Sequence, residues 1–188
     1  MRRSRVVVLL SFCMLCTVGR AGEVYDNAVK VTFLSWLTGS TKLSYERAFA
    51  NHQSAELCAS VIGAGYDKFQ NEPLGFTVRY GHKFFLTGNN SGGLQGFYVR
   101  PEAIYSYYSY NASGSQLRTP AKMGALLATT GYQMNINRFL IDAWVGGGYA
   151  FGIPAETGYH HGFALWNAFG KMREHVALSF SVKLGVCF

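Results

Sequence analysis

Charge is scarce in this sequence: Asp, Glu, Lys and Arg make up 14% of the 188 residues, against the ~25% of an ordinary soluble domain. Long apolar runs are missing too. Beyond the first twenty residues, no stretch reaches the ~18 uninterrupted apolar residues that a spanning helix requires. Cysteine is rare, and two of the four, Cys13 and Cys16, fall in the N-terminal segment. Cys58 and Cys187 remain, far apart in sequence. One possible pair is no disulfide framework, and the two read as small strand residues that never meet.

The start, MRRSRVVVLLSFCMLCTVGRAGE, places Arg2, Arg3 and Arg5 before an apolar stretch from Val6 to about Val18. Gly19 and Ala21 then sit at −3 and −1 for a cut after Ala21, so residues 1–21 read as a secretory signal peptide and 22–188 as the mature domain. Neither Cys13 after Phe12 nor Cys16 after Leu15 has the small neighbour that a lipid-acceptor cysteine needs. Arg2, Arg3, Arg5 and Arg20 leave with the leader. The 17 basic residues fall to 13 against 10 acidic ones, and a balance of +3 is too mild to indicate nucleic acid.

What the chain does have is apolar and aromatic character, at 49% and 15% of residues, without a helix to carry it. In a bilayer only helices and closed barrels satisfy every backbone group. The closing run VALSFSVKLGVCF alternates strictly: Val176, Leu178, Phe180, Val182, Leu184, Val186 and Phe188 against Ala177, Ser179, Ser181, Lys183, Gly185 and Cys187. This is a strand with one apolar and one polar face.

The same alternation recurs along the chain. NAVKVTFLSWL sets Val29, Val31, Phe33 and Leu37 against Lys30 and Thr32, with TGS at 38–40 expected as a tight turn. TKLSYERAF sets Leu43, Tyr45 and Phe49 against Lys42, Ser44 and Glu46, and Arg47 near the strand end suits a snorkelling position. SAELCASVIGAGY follows, then GFTVRYGHKFF, with Phe76, Val78, Tyr80 and Phe84 opposite Thr77, Arg79 and Lys83. In LQGFYVRPEAIYSYYSY, Phe97, Val99, Ala103, Tyr105 and Tyr107 oppose Arg100 and Glu102, and Pro101 predicts a bulge or local gap. AKMGALLATTGYQM precedes a turn at 135–137, and RFLIDAWVGGGYAFG sets Phe139, Ile141, Ala143, Val145 and Tyr149 against Asp142 and Trp144.

Eight strands result, an even number, with both termini on one side. The expected fold is all-β: a closed antiparallel eight-stranded transmembrane barrel of the outer-membrane type. An interior of that size is just wide enough for side chains to fill. Lys30, Lys42, Glu46, Arg79, Lys83, Arg100, Glu102, Asp142 and Lys183 all fall on the non-lipid side, where opposite charges pair. On the lipid face each would cost about 2–4 kcal/mol near the midplane. A plugged interior is expected, not a diffusion channel.

NAVKVTFLSWLTGSTKLSYERAF, VRPEAIYSYY and RFLIDAWVGGGYAFG resemble the small outer-membrane barrels of a Bacteroidota family of unknown function. Members open with a lysine-containing strand, a short turn and a second strand like LSYERA, and carry a Pro-Glu pair, here Pro101-Glu102, in a tyrosine-rich strand. More distantly, the architecture is similar to the eight-stranded adhesion and anchor barrels. The resemblance implies an outer-membrane location and supplies no catalytic residues.

The chemistry-bearing candidates are weak. His52 and Ser54 form a His-x-Ser pair of the sort used by lipid A-trimming barrels, but no third orienting group is visible and a polar turn is the plainer reading. His160-His161 on extended backbone point apart and read as a solvated loop, not a metal site. Gly146-Gly147-Gly148, and Gly63 with Gly65, lack the following helix of a phosphate cradle and mark curvature or close packing. The sequons at Asn89 and Asn111 agree with loops. Long connections are expected at 67–74, 111–120 and 152–175. The last, with Tyr159, Phe163, Trp166 and Phe169, is open between a loop, a plug over the mouth and an extra strand. The expectation is a monomeric barrel scaffold with no catalytic, cofactor or metal residues, contacting outer-membrane lipid and, through its loops, a protein or surface partner. A lipid-modifying enzyme is the alternative, and a narrow channel comes third.

Overall fold

The computed structural model describes residues 25–67, 72–87, 94–111, 117–152, 164–165 and 175–188. The predicted signal peptide, His160-His161, Asn89 and the aromatic residues Tyr159, Phe163, Trp166 and Phe169 lie outside them. The strands are β1 (Asn27–Thr32), β2 (Ser40–Ala50), β3 (Gln53–Ile62), β4 (Leu74–Phe85), β5 (Gly96–Asn111), β6 (Arg118–Ile136), β7 (Phe139–Phe151), β8 (Ala164–Leu165) and β9 (Val176–Cys187). Each of β1 to β6 pairs antiparallel with the next, β7 pairs with β9, and β9 pairs with β1. Eight strands therefore close on themselves, with no α-helix among the described residues.

The seam joins the two ends of the chain. Val29 pairs with Val186 and Thr32 with Lys183. Asn27 and Phe188 exchange backbone hydrogen bonds, at 3.2 Å from Asn27 N to Phe188 O and 2.9 Å in return. Closure is what allows eight strands to coexist without an exposed edge.

Alternation decides which way each side chain points. Val145, Leu126 and Phe180 stand outward at 59, 61 and 75% exposure. Lys30, Lys83, Asp142 and Glu46 point inward and are wholly buried. Large apolar residues cover the outside of all eight barrel strands, from Val29, Leu43 and Leu57 round to Tyr149 and Val186. The interior is stacked in three levels. Tyr25, Ala28, Leu94, Leu140 and Cys187 fill the end that holds the termini. Ile62, Ile104, Tyr108, Met123, Leu127 and their neighbours fill the other end. The charged side chains lie between, bordered by Phe85, Tyr98 and Trp144.

Several boundaries differ from the sequence reading. β1 stops at Thr32, so Leu37 belongs to no strand. Leu34 takes φ 55, and a 3₁₀ turn over Ser35–Thr38 closes at Gly39 with φ 76. The expected tight turn at 38–40 is thus the end of a longer connection. It packs on the β3–β4 connection: the Tyr66 amide donates to Trp36 O at 2.7 Å and Thr41 Oγ1 to Ala64 O at 2.8 Å. Pro101 produces a gap without a bulge. Gly81 pairs with Glu102 and, next, Phe84 with Val99, so the ladder skips the residues facing Pro101 and Arg100 and resumes in the same register. The real bulge lies in β2, where Ala48 pairs with Ser54 but Ala50 with Gln53, leaving Phe49 extra. β5 and β6 pair from Asn111↔Arg118 onward, which shortens the expected 111–120 loop. Ile136 still pairs with Phe139, so the β6–β7 turn is Asn137-Arg138, with Asn137 at φ 56. Within 152–175, Ala164 and Leu165 form a two-residue strand against Leu178 and Ala177.

Candidate functional site

The middle level is a cage of charge. Lys30 on β1 faces Ser44 on β2 and Gly185 on β9. Its Nζ donates to Glu46 and Glu56, and to Asp142 at 2.9 Å. Lys83 reaches Asp142 at 2.7 Å and Glu46 at 3.2 Å, and also donates to Gln133. Lys183 donates to Glu56. A second centre adjoins it: Arg79 Nε lies 2.7 Å from Glu102 Oε1, and Arg100 Nη2 lies 2.9 Å from Glu102 Oε2. Arg100 Nη1 is 3.6 Å from Glu56, which links the two centres.

Register explains the cage. Glu46 and Glu56 are direct cross-strand partners, a like-charge pair that is destabilising on its own. Asp142 joins them, and the three carboxylates offer oxygens all within 4.8 Å of one another. That convergence resembles the acidic ring of a cation site, and the cations here are the chain's own ammonium groups. Removing charges from water costs several kcal/mol per ion, which is recovered only when each group is multiply paired. Each of the three carboxylates contacts at least two cations.

Aromatic faces complete the shell. Lys83 Nζ lies 4.3 Å from the Tyr98 ring centre, and Lys183 Nζ lies 4.8 Å and Arg100 Cζ 5.1 Å from Trp144. Tyr98 Oη donates to Asp142 Oδ1 at 2.6 Å. Room for the long cations comes from inward glycines. A Cβ on Gly185 would stand 2.6 Å from Lys30 Cγ, and one on Gly81 would stand 2.6 Å from Arg100 Cδ.

All nine charged residues picked out in the sequence sit on inward positions. Eight enter the paired network; Lys42 is half-buried and stands apart from the ion pairs among the described residues. Glu56, absent from that set, is the carboxylate with most cationic neighbours: Lys30, Lys83, Lys183 and Arg100. Tyr98 and Gln133 were likewise unread. The local signal for such a site is a glycine directly opposite a bulky inward residue, as in Lys30↔Gly185 and Tyr98↔Gly131.

No family model, curated protein or solved structure matches this chain. The site must therefore be read from its own geometry. Ser54 is buried and donates to Glu46, while His52 occupies the exposed β2–β3 turn at φ 66. The pair serves two separate structural ends. Cys58 and Cys187 are both free thiols. The cage itself holds cations and anions in fixed mutual contact, and the Ser54 hydroxyl is held on one of its carboxylates, Glu46.

Proposed function

We propose that the protein is an integral outer-membrane barrel, exported by its signal peptide, that serves as a structural or interaction scaffold through the loops opposite its termini. The observation that carries this reading is the distribution of solvent preference. The apolar outer face runs round every barrel strand, while the ionic groups are enclosed. In water each exposed Leu, Val or Phe would forgo roughly 1.5–3 kcal/mol of burial, and no second sheet covers them among the described residues. Hydrocarbon as the outer solvent removes that cost. Two of the three connections at the end with the termini, Asn51-His52 and Asn137-Arg138, are tight, as periplasmic turns are, the third spans 86–95, and the longest connection, 152–175, lies at the other end.

Topology is testable with a single introduced cysteine, because both native thiols are buried. Leu117→Cys, at the long-loop end, should react with a membrane-impermeant maleimide on intact cells. Asn137→Cys should react only once the outer membrane is permeabilised. Equal labelling of both sites in a soluble fraction would remove the membrane reading. Lipid A from cells with and without the protein should have the same mass profile; a lost or gained acyl chain would replace the scaffold with an enzyme.

A further inference from the structure

The acidic residues of the barrel strands, Glu46, Glu56, Glu102 and Asp142, all face inward. On the outer wall the sign is reversed. The outward strand residues that can carry a full charge at neutral pH or just below are Arg47, His82, Arg118 and Lys122, all basic. They sit near the two ends of the wall, Arg47 and His82 towards the termini, Arg118 and Lys122 towards the long connections. A surface in water mixes both signs, so a wall of one sign matches anionic surroundings at those levels. Arg118 rests on Ser109 at 3.3 Å, and Lys122 lies over the Tyr107 ring. Arg47 is exposed and has no ion pair among the described residues.

Arg47 and His82 share one cross-strand row. Arg47 on β2 pairs with Ala55 on β3, and Ala55 pairs with His82 on β4. Two strand spacings set the outer pair about 10 Å apart at Cα, with only the alanine methyl between them. The His82 ring leans over that gap: it lies 5.2 Å from the ring of Phe49 on β2, so side chains of β2 and β4 meet above β3. Phe84 packs on the same ring at 4.5 Å, and His82 Nε2 lies 3.2 Å from Gln53 Oε1. The β2 bulge has a use here. Phe49 is its extra residue, and a bulge re-aims a side chain. One row towards the middle of the wall stand Tyr45, Leu57 and Tyr80, all exposed.

We propose that Arg47 and His82 hold the phosphate of an anionic phospholipid above Ala55, on the outer wall at the end with the termini. The inference rests on the membrane reading. Arg47 is the ionic partner, and its planar fork donates two parallel hydrogen bonds to phosphate oxygens. His82 donates another from Nδ1, and the Gln53 amide suits that tautomer by turning its nitrogen to Nε2. The acyl chains then run over Tyr45, Leu57 and Tyr80. Depth agrees, because Ala55 lies only roughly 10 Å of tilted strand from the β2–β3 turn, a level at which an outward arginine costs little. Glu46 and Glu56 share these strands but face the interior, and Asp26, just ahead of β1, makes no ion pair with Arg47. No outward carboxylate stands in the row to receive a choline ammonium, which selects a headgroup of net negative charge.

Native mass spectrometry of the full-length mature protein in detergent, titrated with phosphatidylglycerol or with phosphatidylcholine, tests this. Saturable retention of phosphatidylglycerol in preference to phosphatidylcholine is expected. Arg47→Gln should weaken it about tenfold or more, and His82→Gln about threefold. Ala55→Leu, which fills the gap and keeps both side chains, should weaken it as much as Arg47→Gln. Lys122→Gln, at the far end of the wall, should leave it unchanged. Equal retention of the two lipids, indifference to Arg47→Gln or Ala55→Leu, or equal losses from Arg47→Gln and Lys122→Gln would each overturn the proposal, the last by reducing it to overall charge. Heat-modifiable gel mobility recorded on every variant reports the barrel separately. A folded, membrane-derived barrel that ignores phosphatidylglycerol defeats this inference alone, whereas a soluble, heat-indifferent product defeats the membrane reading and this inference with it.

Discussion

Lys30 illustrates how much one side chain can hold together. Its ammonium touches carboxylates from three different strands, β2, β3 and β7. Removing one partner of a buried ionic group costs about 3–5 kcal/mol, because what remains is an uncompensated buried charge. Lys30→Ala should therefore lower the urea midpoint of unfolding sharply, while Val29→Ala, one residue away and outward, should cost about 1 kcal/mol or less. Comparable losses from the two would show that the cage contributes little. Lys30 and Lys183 are legible in the sequence because large apolar neighbours flank each one, and Lys83 because Tyr80 and Phe84 mark the other face of its strand. Glu56 is not. Ala55 and Ala59 are too small to contrast with Ser54, Cys58 and Ser60, so the two faces of β3 look alike until Leu57 and Val61 are weighed.

At the scale of elements, hydrophobic alternation locates six of the eight barrel strands, because one-sided burial is what sets strand register, and SAELCASVIGAGY and AKMGALLATTGYQM are placed by the turns around them. Strand ends are less readable. Phe33, Leu34, Trp36 and Leu37 continue an apolar pattern past Thr32, yet the strand stops there. What ends it is a left-handed Leu34, a conformation that sequence marks clearly only when Gly or Asn occupies it. Leu34→Gly removes a backbone cost of about 1–2 kcal/mol, offset in part by the greater freedom of glycine in the unfolded chain. The expected result is equal or slightly raised thermal stability with unchanged heat-modifiable mobility. A clear destabilisation would mean that the leucine side chain itself anchors the turn. Pro101 was readable as an interruption, and its consequence was milder than a bulge because the β5–β6 ladder runs through Pro101↔Ala128 without a shift.

For the whole molecule, the closed, side-chain-filled barrel follows from counting strands and charges, but the three-level interior does not. Ile104, Tyr108 and Met123 point inward, where a simple polar-in rule expects hydrophilic residues. Ile104 and Tyr108 have aromatic outward neighbours, Tyr105 and Tyr107, and the polarity of Lys122 beside Met123 points the wrong way. Two apolar stoppers flank a paired ionic layer, so no continuous aqueous path crosses the described interior. Planar-bilayer recordings on the purified protein should show no steady unitary conductance at neutral pH. Reproducible stepwise openings would mean that the stoppers yield.

The bonds between Asn27 and Phe188 carry a consequence for biogenesis. The first strand to be made is the last to gain its second neighbour, since β9 must be synthesised and delivered before β1 is flanked on both sides. Until then the ribbon keeps an open edge of unsatisfied amides, and sealing the wall becomes a single late event.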